Sequence, residues 1–300
     1  MTALTDALAW VVIASFGASA LLYGQSRRYG RYASVAAWVV FAVFWGLLVP
    51  HFAFEQRSIV EGVLSAAAVP ACLYTAYLVA ADRKDLETLT QAVAIMGLLY
   101  LPFQTLEPLQ RVAIETVTHH AEWLMAQFGY TPPVVQSDAG YRAKFVFTGV
   151  NAAGESGHLF TTTVVLACTG VGSMAIVGGL ALAVDAPLER RLQGLAIALP
   201  IIYVLNVIRI TFIALAHGNQ WFDGALVTDI VLSLFTGANA NMVSYLLADR
   251  ILAQTLSVVA LVALTFALLR IIPELGGVVE DVAYIATGNE YEVTRRFAKG

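Results

Sequence analysis

One cysteine and two arginines in the C-terminal half of the chain are the residues best suited to chemistry. Cys168 lies in Leu166-Ala-Cys-Thr-Gly-Val-Gly-Ser173, where a β-branched run gives way to a long apolar stretch. The two glycines that follow the thiol predict a turn and then a helix, with Cys168 at or just inside the helix N-terminus. Unpaired backbone N–H groups at such an end favour a thiolate, which is the nucleophilic form of cysteine.

Arg209 and Arg250 lie inside apolar stretches long enough to cross a membrane. An ionisable group is costly there, so each arginine is a candidate functional residue. Arginine stays protonated, and it can therefore hold a thiolate or bind the oxyanion of a tetrahedral intermediate. Both arginines and Cys168 approach from the same side of the membrane to a similar depth. We therefore predict that Cys168, Arg209 and Arg250 form one site.

Two further polar residues are predicted to support this site. Asn206 is one turn before Arg209 on the same helix face, where it can orient the guanidinium or donate to the oxyanion. His217 is two turns beyond Arg209 and can serve as a base; an ordinary histidine at the membrane edge is the alternative. Asp249 is adjacent to Arg250 on a different helix face, so we do not expect these two side chains to pair.

The remaining cysteine and histidines suggest no second site. Cys72 is predicted to be a small core residue, and His158 and Glu155 to be solvated. His119 and His120 are adjacent on a helix and face apart, so they do not predict a metal site. Neither metal-ligand spacing nor a Gly-rich phosphate loop is present, and we predict no cofactor and no metal.

The composition places the chain among polytopic helical membrane proteins. It has 300 residues, of which 59% are hydrophobic and 13% charged, with a mean hydropathy of +0.73. An average soluble domain carries about a quarter of charged residues. The net charge of -4 gives no sign of nucleic-acid binding. Two cysteines do not make a disulfide framework.

The fold class predicted is an all-α polytopic membrane protein with about seven to eight transmembrane helices and a small extracellular cap. A span needs roughly 20 mostly apolar residues. Stretches of this kind occur at 4–23, 33–50, 59–81, 88–105, 166–184, 194–216 and 241–270. The apolar stretch at 225–236 is shorter, so 225–240 is predicted to be a half-helix or re-entrant segment. A full crossing there would give the eighth span.

The cap is predicted between the fourth and fifth spans. Within it, Glu115 to Phe128 has helical periodicity, and the segments Lys144–Phe147 and Leu159–Thr163 alternate as in a β-hairpin. The chain is thus divided into an N-terminal four-helix membrane region (1–105), the extracellular cap (106–160), a catalytic membrane region (161–270) and a cytoplasmic tail (271–300).

Basic residues in the short loops predict the orientation in the membrane. Loops rich in Lys and Arg stay in the cytoplasm. This places the N-terminus and the cap outside and predicts an active site that faces the extracellular side of the cell membrane. The basic residues concerned are Arg27, Arg28, Arg31, Arg83, Lys84, Arg190, Arg191, Arg295, Arg296 and Lys299.

Three motifs together resemble the exosortase/archaeosortase family. They are Ala167-Cys-Thr-Gly-Val-Gly-Ser173, Asn206-Val-Ile-Arg209 and Arg250, in that order. The exosortase branch is similar but has His at the third position, whereas the archaeosortase branch has Arg, which matches Arg250. His217 is the alternative third residue. The four N-terminal spans match the family in hydropathy only.

The resemblance implies a membrane cysteine protease and transpeptidase. Its substrates would be secreted surface proteins, such as S-layer glycoprotein, with a C-terminal signal made of a Pro-Gly-Phe type motif, a transmembrane helix and a basic tail. By the same resemblance, Cys168 attacks the scissile carbonyl and forms a thioester, while Arg209 and Arg250 stabilise the thiolate and the oxyanion. A membrane lipid or water then resolves the acyl-enzyme, and in the archaeal branch the product becomes lipid-anchored.

Two other functions fit the residues less well. A transporter for an anionic solute would use the buried arginines and a broken segment at 225–240, but it would have no need of Cys168. We find no inverted repeats of the kind that many transporters contain. A purely structural membrane subunit would leave the buried arginines unexplained.

Overall fold

The computed structural model describes residues 3–55, 59–82, 86–235 and 237–294. Five of the basic residues used to predict the orientation, Arg83, Lys84, Arg295, Arg296 and Lys299, lie outside these ranges. The chain folds mainly into helices, with one three-stranded antiparallel sheet in the order β1-β2-β3. The strands are β1 (Val134–Gln136), β2 (Arg142–Val150) and β3 (Ser156–Thr163). The helices are α1 (Ala3–Gln25), α2 (Arg27–Pro50), α3 (Ile59–Ala80), α4 (Glu87–Thr105), α5 (Glu107–Gln127), α6 (Val171–Ala183), α7 (Leu188–Gly218), α8 (Ala225–Leu234), α9 (Val243–Tyr245), α10 (Gln254–Ile271) and α11 (Leu275–Thr287).

Five helices of the described residues are long and apolar enough to cross a membrane. They are Ala7–Gln25, Arg27–Glu55, Ile59–Ala80, Leu188–Gly218 and Ala240–Ile271; the last is continuous through α9 and α10. The pair α4 and α5, bent by 88°, makes a sixth if it is taken as one span. These helices confirm a multi-pass membrane protein, and the count of seven to eight depends on the shorter apolar helices α6 and α8.

The span predicted over 166–184 is wrong at its N-terminal end. Leu166–Cys168 is a single 3-10 turn, and α6 begins only at Val171. The cause is Gly170, whose φ of +79° interrupts right-handed helix. The remaining 13 residues of α6 are about 20 Å long at 1.5 Å per residue, short of the roughly 30 Å hydrocarbon core.

The segment after α7 contains the short helix predicted there. Helix α8 has 10 residues and ends at Leu234, so its length is about 15 Å. Gly237 then adopts a φ of +76°, and the chain re-enters a helix at Ala240. A break of this kind is consistent with the predicted half-helix.

The described chain divides into two compact units. The first comprises Met1–Leu101, Met174–Leu199 and Val262–Gly300. Its centre contains Phe16, which is fully buried and packs edge-on against Trp38 with ring centroids 5.1 Å apart. The indole of Trp38 donates to Thr90 Oγ1 at 3.1 Å, which satisfies a polar group inside an apolar core. Gly179 lets α6 approach α4, since a Cβ there would lie 2.6 Å from the Ala92 carbonyl oxygen.

The second unit comprises Pro102–Ser173 and Pro200–Leu261, and it contains the predicted cap. Strands β2 and β3 pair around the turn at 151–155, which confirms the predicted hairpin. On β2 the side chains of Ala143, Phe145 and Phe147 are buried in alternation, so one face of the strand carries the core. Helix α5 lies against β2, and Arg142 on that strand makes a bidentate contact with Glu122 on α5 at 2.8 and 2.9 Å.

Candidate active site

Cys168 ends a tight turn that leads from the cap sheet into α6. Strand β3 stops at Thr163, and Leu166–Cys168 forms the 3-10 turn, in which the Cys168 N–H donates to the Val165 carbonyl at 2.8 Å. Thr169 is buried and its hydroxyl donates to the Leu166 carbonyl at 2.7 Å. The turn is therefore held by its own backbone and by one side chain. It places the thiol three residues before α6 and outside that helix, so the predicted position at or just inside the helix N-terminus is wrong; the left-handed Gly170 separates the two.

Asn206 fixes this turn from α7. Its amide is buried and donates to the carbonyl oxygen of Cys168. Gly170 makes the approach possible, because a Cβ there would lie 3.3 Å from both Cβ and Cγ of Asn206. The structure therefore places Asn206 against the backbone of the nucleophile candidate, whereas the sequence predicted a contact with the guanidinium or the oxyanion.

Arg209 and Asp249 form an ion pair between α7 and the Ala240–Ile271 helix. Nη2 of Arg209 lies 3.0 Å from Oδ1 of Asp249, and the two side chains are 25% and 10% exposed. The Nε–H of Arg209 is buried and has no hydrogen-bond partner among the described residues. A buried donor without a partner costs about 1–3 kcal/mol. In a site that binds an oxyanion of its substrate, this N–H can donate a hydrogen bond to that oxyanion.

Arg250 also contacts Asp249, contrary to the expectation that these neighbours face apart. Its Nε lies 3.4 Å from Oδ2 of Asp249, and only 13% of its side chain is exposed. Both residues belong to Leu246–Ala253, where the helix widens to π geometry. The long arginine side chain folds back along this widened turn. Single π turns inside helices are frequent at functional sites.

The charges of these side chains act on the thiol. Burial and the Asp249 carboxylate disfavour the thiolate form of Cys168, whereas the charges of Arg209 and Arg250 favour it. Of the three residues predicted from the sequence, the two arginines share one carboxylate, and their charges reach Cys168. Nearby cations of this kind help a cysteine to form the nucleophilic thiolate.

The side chain of His217 is more buried than we expected for a general base. It is 4% exposed, and its ring is packed between Phe160 and Tyr245 with centroids 5.5 and 5.4 Å away. Its Nδ1 has no hydrogen-bond partner among the described residues. Tyr245 in turn interacts electrostatically with Asp249, Arg250 and Cys168. His217 therefore reaches the charged cluster through the ring of Tyr245.

The other histidines take no part in this cluster. His120 accepts or donates a hydrogen bond with the Tyr203 hydroxyl at 2.7 Å, between α5 and α7. His119 is 3.9 Å from Glu122, also on α5. His158 packs against Phe160 at a centroid distance of 4.8 Å. Cys72 is buried in α3 and fits the predicted core role.

Two contacts tie the cap to the helices that carry the arginines. Asn241 accepts a hydrogen bond from the Ala152 N–H in the hairpin turn at 2.7 Å. Gly218, at the end of α7, is covered by the ring of Phe147, since a Cβ there would lie 2.2 Å from its Cγ. The cap is therefore part of the scaffold that sets the position of Cys168 relative to α7.

An apolar groove of about 570 Å³ lies between α5 and α7. Of the described residues that line this groove, Thr211 alone has a buried side-chain oxygen without a hydrogen-bond partner. Pockets of this volume hold small ligands or a few side chains. The lining residues are Leu124, Phe128, Tyr130, Ile208, Thr211, Phe212, Leu215 and Trp221.

Sequence reasoning missed Asp249 and Tyr245. Both lie on the same helix as Arg250, and a carboxylate inside a span was itself a signal, because such groups are costly unless paired. The spacing of a regular α-helix hid this signal, since it turns Asp249 and Arg250 to different faces. The local π geometry, which the sequence does not reveal, allows Asp249 to contact both Arg209 and Arg250.

Comparison with known proteins gives four findings. Residues 4–248 match the model of the transmembrane exosortase family, a match that ends just before Asp249 and Arg250. The chain is 46% identical over 300 residues to archaeosortase A of Haloferax volcanii, covering 97% of this chain and 96% of that protein. It is 41% identical over 285 residues to archaeosortase A of Natronomonas pharaonis, covering 94% and 89%. No solved structure matches.

Proposed function

This chain belongs to the transmembrane exosortase family, and we propose that it is a membrane-embedded cysteine peptidase and transpeptidase that sorts secreted surface proteins. The relatives named archaeosortase A, which align over nearly the whole chain, support a membrane protein-sorting enzyme. The observation that carries the proposed chemistry is the position of Cys168, on a rigid turn beside two guanidiniums that share one carboxylate.

The first proposed step is attack by the Cys168 thiolate on the scissile carbonyl. The guanidiniums stabilise the thiolate before the attack and the oxyanion after it. Arg209 suits the second task, because its buried Nε–H has no partner among the described residues. The C–N bond then breaks, the leaving amine takes up the proton that the thiol released, and a thioester remains on Cys168. Water or the nucleophilic headgroup of a membrane lipid replaces the sulfur and restores the thiol.

The proposed substrate is a surface protein with a C-terminal signal composed of a Pro-Gly-Phe type motif, a transmembrane helix and a basic tail. S-layer glycoprotein is an example, and transfer to a lipid would anchor the product. The site is proposed to face the outside of the cell membrane, because the basic loops at Arg27–Arg31 and Arg190–Arg191 favour the cytoplasm. The groove beside α7 is large enough for side chains of the signal motif.

Anion transport is less well supported by the same residues. Asp249 contacts both arginines and offsets one of their two charges, so at most one positive charge is left to attract a solute anion. Transport would also not explain why the chain forms a tight turn at Cys168. We therefore do not propose a transport function.

Processing in cells tests the proposal, with the second cysteine as a matched control. The enzyme variants Cys168→Ala and Cys72→Ala are expressed with a surface protein that carries the C-terminal signal, and membrane levels of the enzyme are measured by immunoblot. We expect the full-length precursor to accumulate with Cys168→Ala and not with Cys72→Ala. Normal processing by a membrane-inserted Cys168→Ala enzyme would overturn the thiol mechanism.

A further inference from the structure

Asp249 contacts both arginines of the site through different oxygens. Oδ1 lies 3.0 Å from Nη2 of Arg209, and Oδ2 lies 3.4 Å from Nε of Arg250. The carboxylate is 10% exposed, so little solvent screens these contacts. Since Arg209 belongs to α7 and Arg250 to the Ala240–Ile271 helix, one side chain fixes two guanidiniums that come from different elements.

The charges of this buried cluster do not balance without the thiolate. Two guanidiniums carry +2 and Asp249 carries −1, which leaves one positive charge when Cys168 is a neutral thiol. A thiolate, or the oxyanion that replaces it during acyl transfer, brings the sum to zero. Buried charges are stable when they are paired, so the cluster is suited to exactly one further negative charge.

We propose that Asp249 is a positioning residue, which aims the guanidiniums of Arg209 and Arg250 at Cys168 and limits their excess charge to one. This inference rests on the proposed function, in which Cys168 is the nucleophile. It adds a residue that acts through the two arginines that it contacts. A carboxylate that served only to join two helices would not need to lie within electrostatic range of the thiol, yet Asp249 does.

The other groups around the thiol do not take over this role. The charge of Arg209 acts on it from α7, that of Arg250 from the π turn, and Tyr245 interacts with it from α9. His217 packs on the Tyr245 ring. Asp249 is the one acidic group among those that act on the Cys168 charge in the described part of the chain. Removing its charge alone therefore changes the cluster in a known direction.

The first arm of the test measures processing. Asp249→Asn keeps the size of the side chain but loses its charge, whereas Asp249→Glu keeps the charge and moves it by one methylene. We expect precursor processing to fall at least about tenfold with Asp249→Asn, because misplaced catalytic groups cost roughly that or more. Asp249→Glu should retain more activity than Asp249→Asn. The matched control is Asp229→Asn, at an exposed position of α8, which should process normally.

The second arm measures the reactivity of the thiol, which a carboxylate beyond electrostatic range of the cluster would not shift. In a Cys72→Ala background Cys168 is the only cysteine, and its alkylation by iodoacetamide is followed against pH in detergent. Asp249→Asn removes a negative charge, so the alkylation profile should move to lower pH by on the order of one unit, although processing falls. Arg250→Gln removes a positive charge and should move the profile to higher pH.

The outcomes separate this inference from the proposed function. Processing by Cys168→Ala would refute the proposed function, whatever the Asp249 variants do. Wild-type processing by Asp249→Asn would overturn the positioning role, and so would an alkylation profile that stays in place or moves to higher pH. If Asp249→Asn no longer elutes as a monodisperse protein in detergent, the Asp249→Glu variant decides the question. A folded Asp249→Glu enzyme that processes no more precursor than Cys168→Ala would also overturn the positioning role.

Discussion

Replacing Gly170 by alanine tests whether the backbone turn after Cys168 positions the thiol. Gly170 has a φ of +79°, and a Cβ there would lie 3.3 Å from Cβ and Cγ of Asn206. The left-handed conformation costs an alanine about 1–2 kcal/mol. The contact with Asn206 adds overpacking, which costs typically about 1–3 kcal/mol. Relief of this contact moves Asn206 away from the Cys168 carbonyl that it binds.

Gly140→Ala is the matched control for this change. Gly140 lies in the cap with the same φ of +79°, but a Cβ there would meet nothing within 4 Å. Both variants place an alanine in the left-handed conformation and are destabilised by it, but only Gly170→Ala disturbs the contact with Asn206. The control should therefore lose about 1–2 kcal/mol of stability and process its substrate normally.

Two measurements distinguish the variants. Thermal unfolding in detergent reports stability, and accumulation of the precursor in cells reports activity. We expect Gly170→Ala to be less stable than Gly140→Ala and to process its substrate at least about tenfold more slowly, because small shifts of a nucleophile reduce rates strongly. Equal processing by the two variants would refute the claim that this turn positions the thiol.

Three further predictions follow from other contacts. Arg209→Lys keeps the charge but loses the planar fork that meets Asp249; processing, measured by precursor accumulation, should fall by about tenfold or more. Gly218→Ala places a Cβ 2.2 Å from the Phe147 ring and should lower the thermal stability of the purified protein by about 1–3 kcal/mol. The hydrogen bond from Arg142 holds the pKa of Glu122 below its usual range, so this pair stabilises the cap at neutral pH. That stabilisation is lost as pH falls through the lowered pKa. In a plot of stability against pH, the acid limb, where stability falls with pH, should therefore be less steep for Arg142→Ala.

The Gly218 and Arg142 predictions each have a matched control in the chain. Gly224 has no neighbour within 4 Å of its Cβ position, so Gly224→Ala should be tolerated where Gly218→Ala is not. Arg111 pairs with Glu107 on exposed α5, and Arg111→Ala should leave the acid limb unchanged. Full activity of Arg209→Lys would show that charge alone suffices. An unchanged acid limb in Arg142→Ala would show that the Glu122 contact does not stabilise the cap.

The sequence predicted the elements that depend on local pattern. Alternation at Lys144–Phe147 and Leu159–Thr163 predicted the hairpin, because the side chains of a strand point alternately to its two faces. Continuous apolar runs predicted the long helices around Arg209 and Arg250. Costly arginines within those runs predicted a shared site, and in the structure both arginines contact the same carboxylate, Asp249.

The sequence could not predict features that arise from tertiary contacts. The span starting at 166 was wrong, because hydropathy does not register the left-handed Gly170 that ends the 3-10 turn. The pairing of Asp249 was missed because a π turn changes which neighbours share a face. The hydrogen bond from Asn206 to the Cys168 backbone joins residues on different elements, and no local spacing encodes it.

Direct detection of the acyl-enzyme would test the central claim. The purified enzyme in detergent is mixed with a synthetic peptide that carries a Pro-Gly-Phe type motif followed by an apolar helix, and it is then quenched in acid for mass spectrometry. We predict an added acyl mass on the peptide that contains Cys168, released by hydroxylamine as a thioester is and missing in Cys168→Ala. Cleavage of the substrate with the acyl group on another residue, or cleavage by Cys168→Ala, would contradict the account.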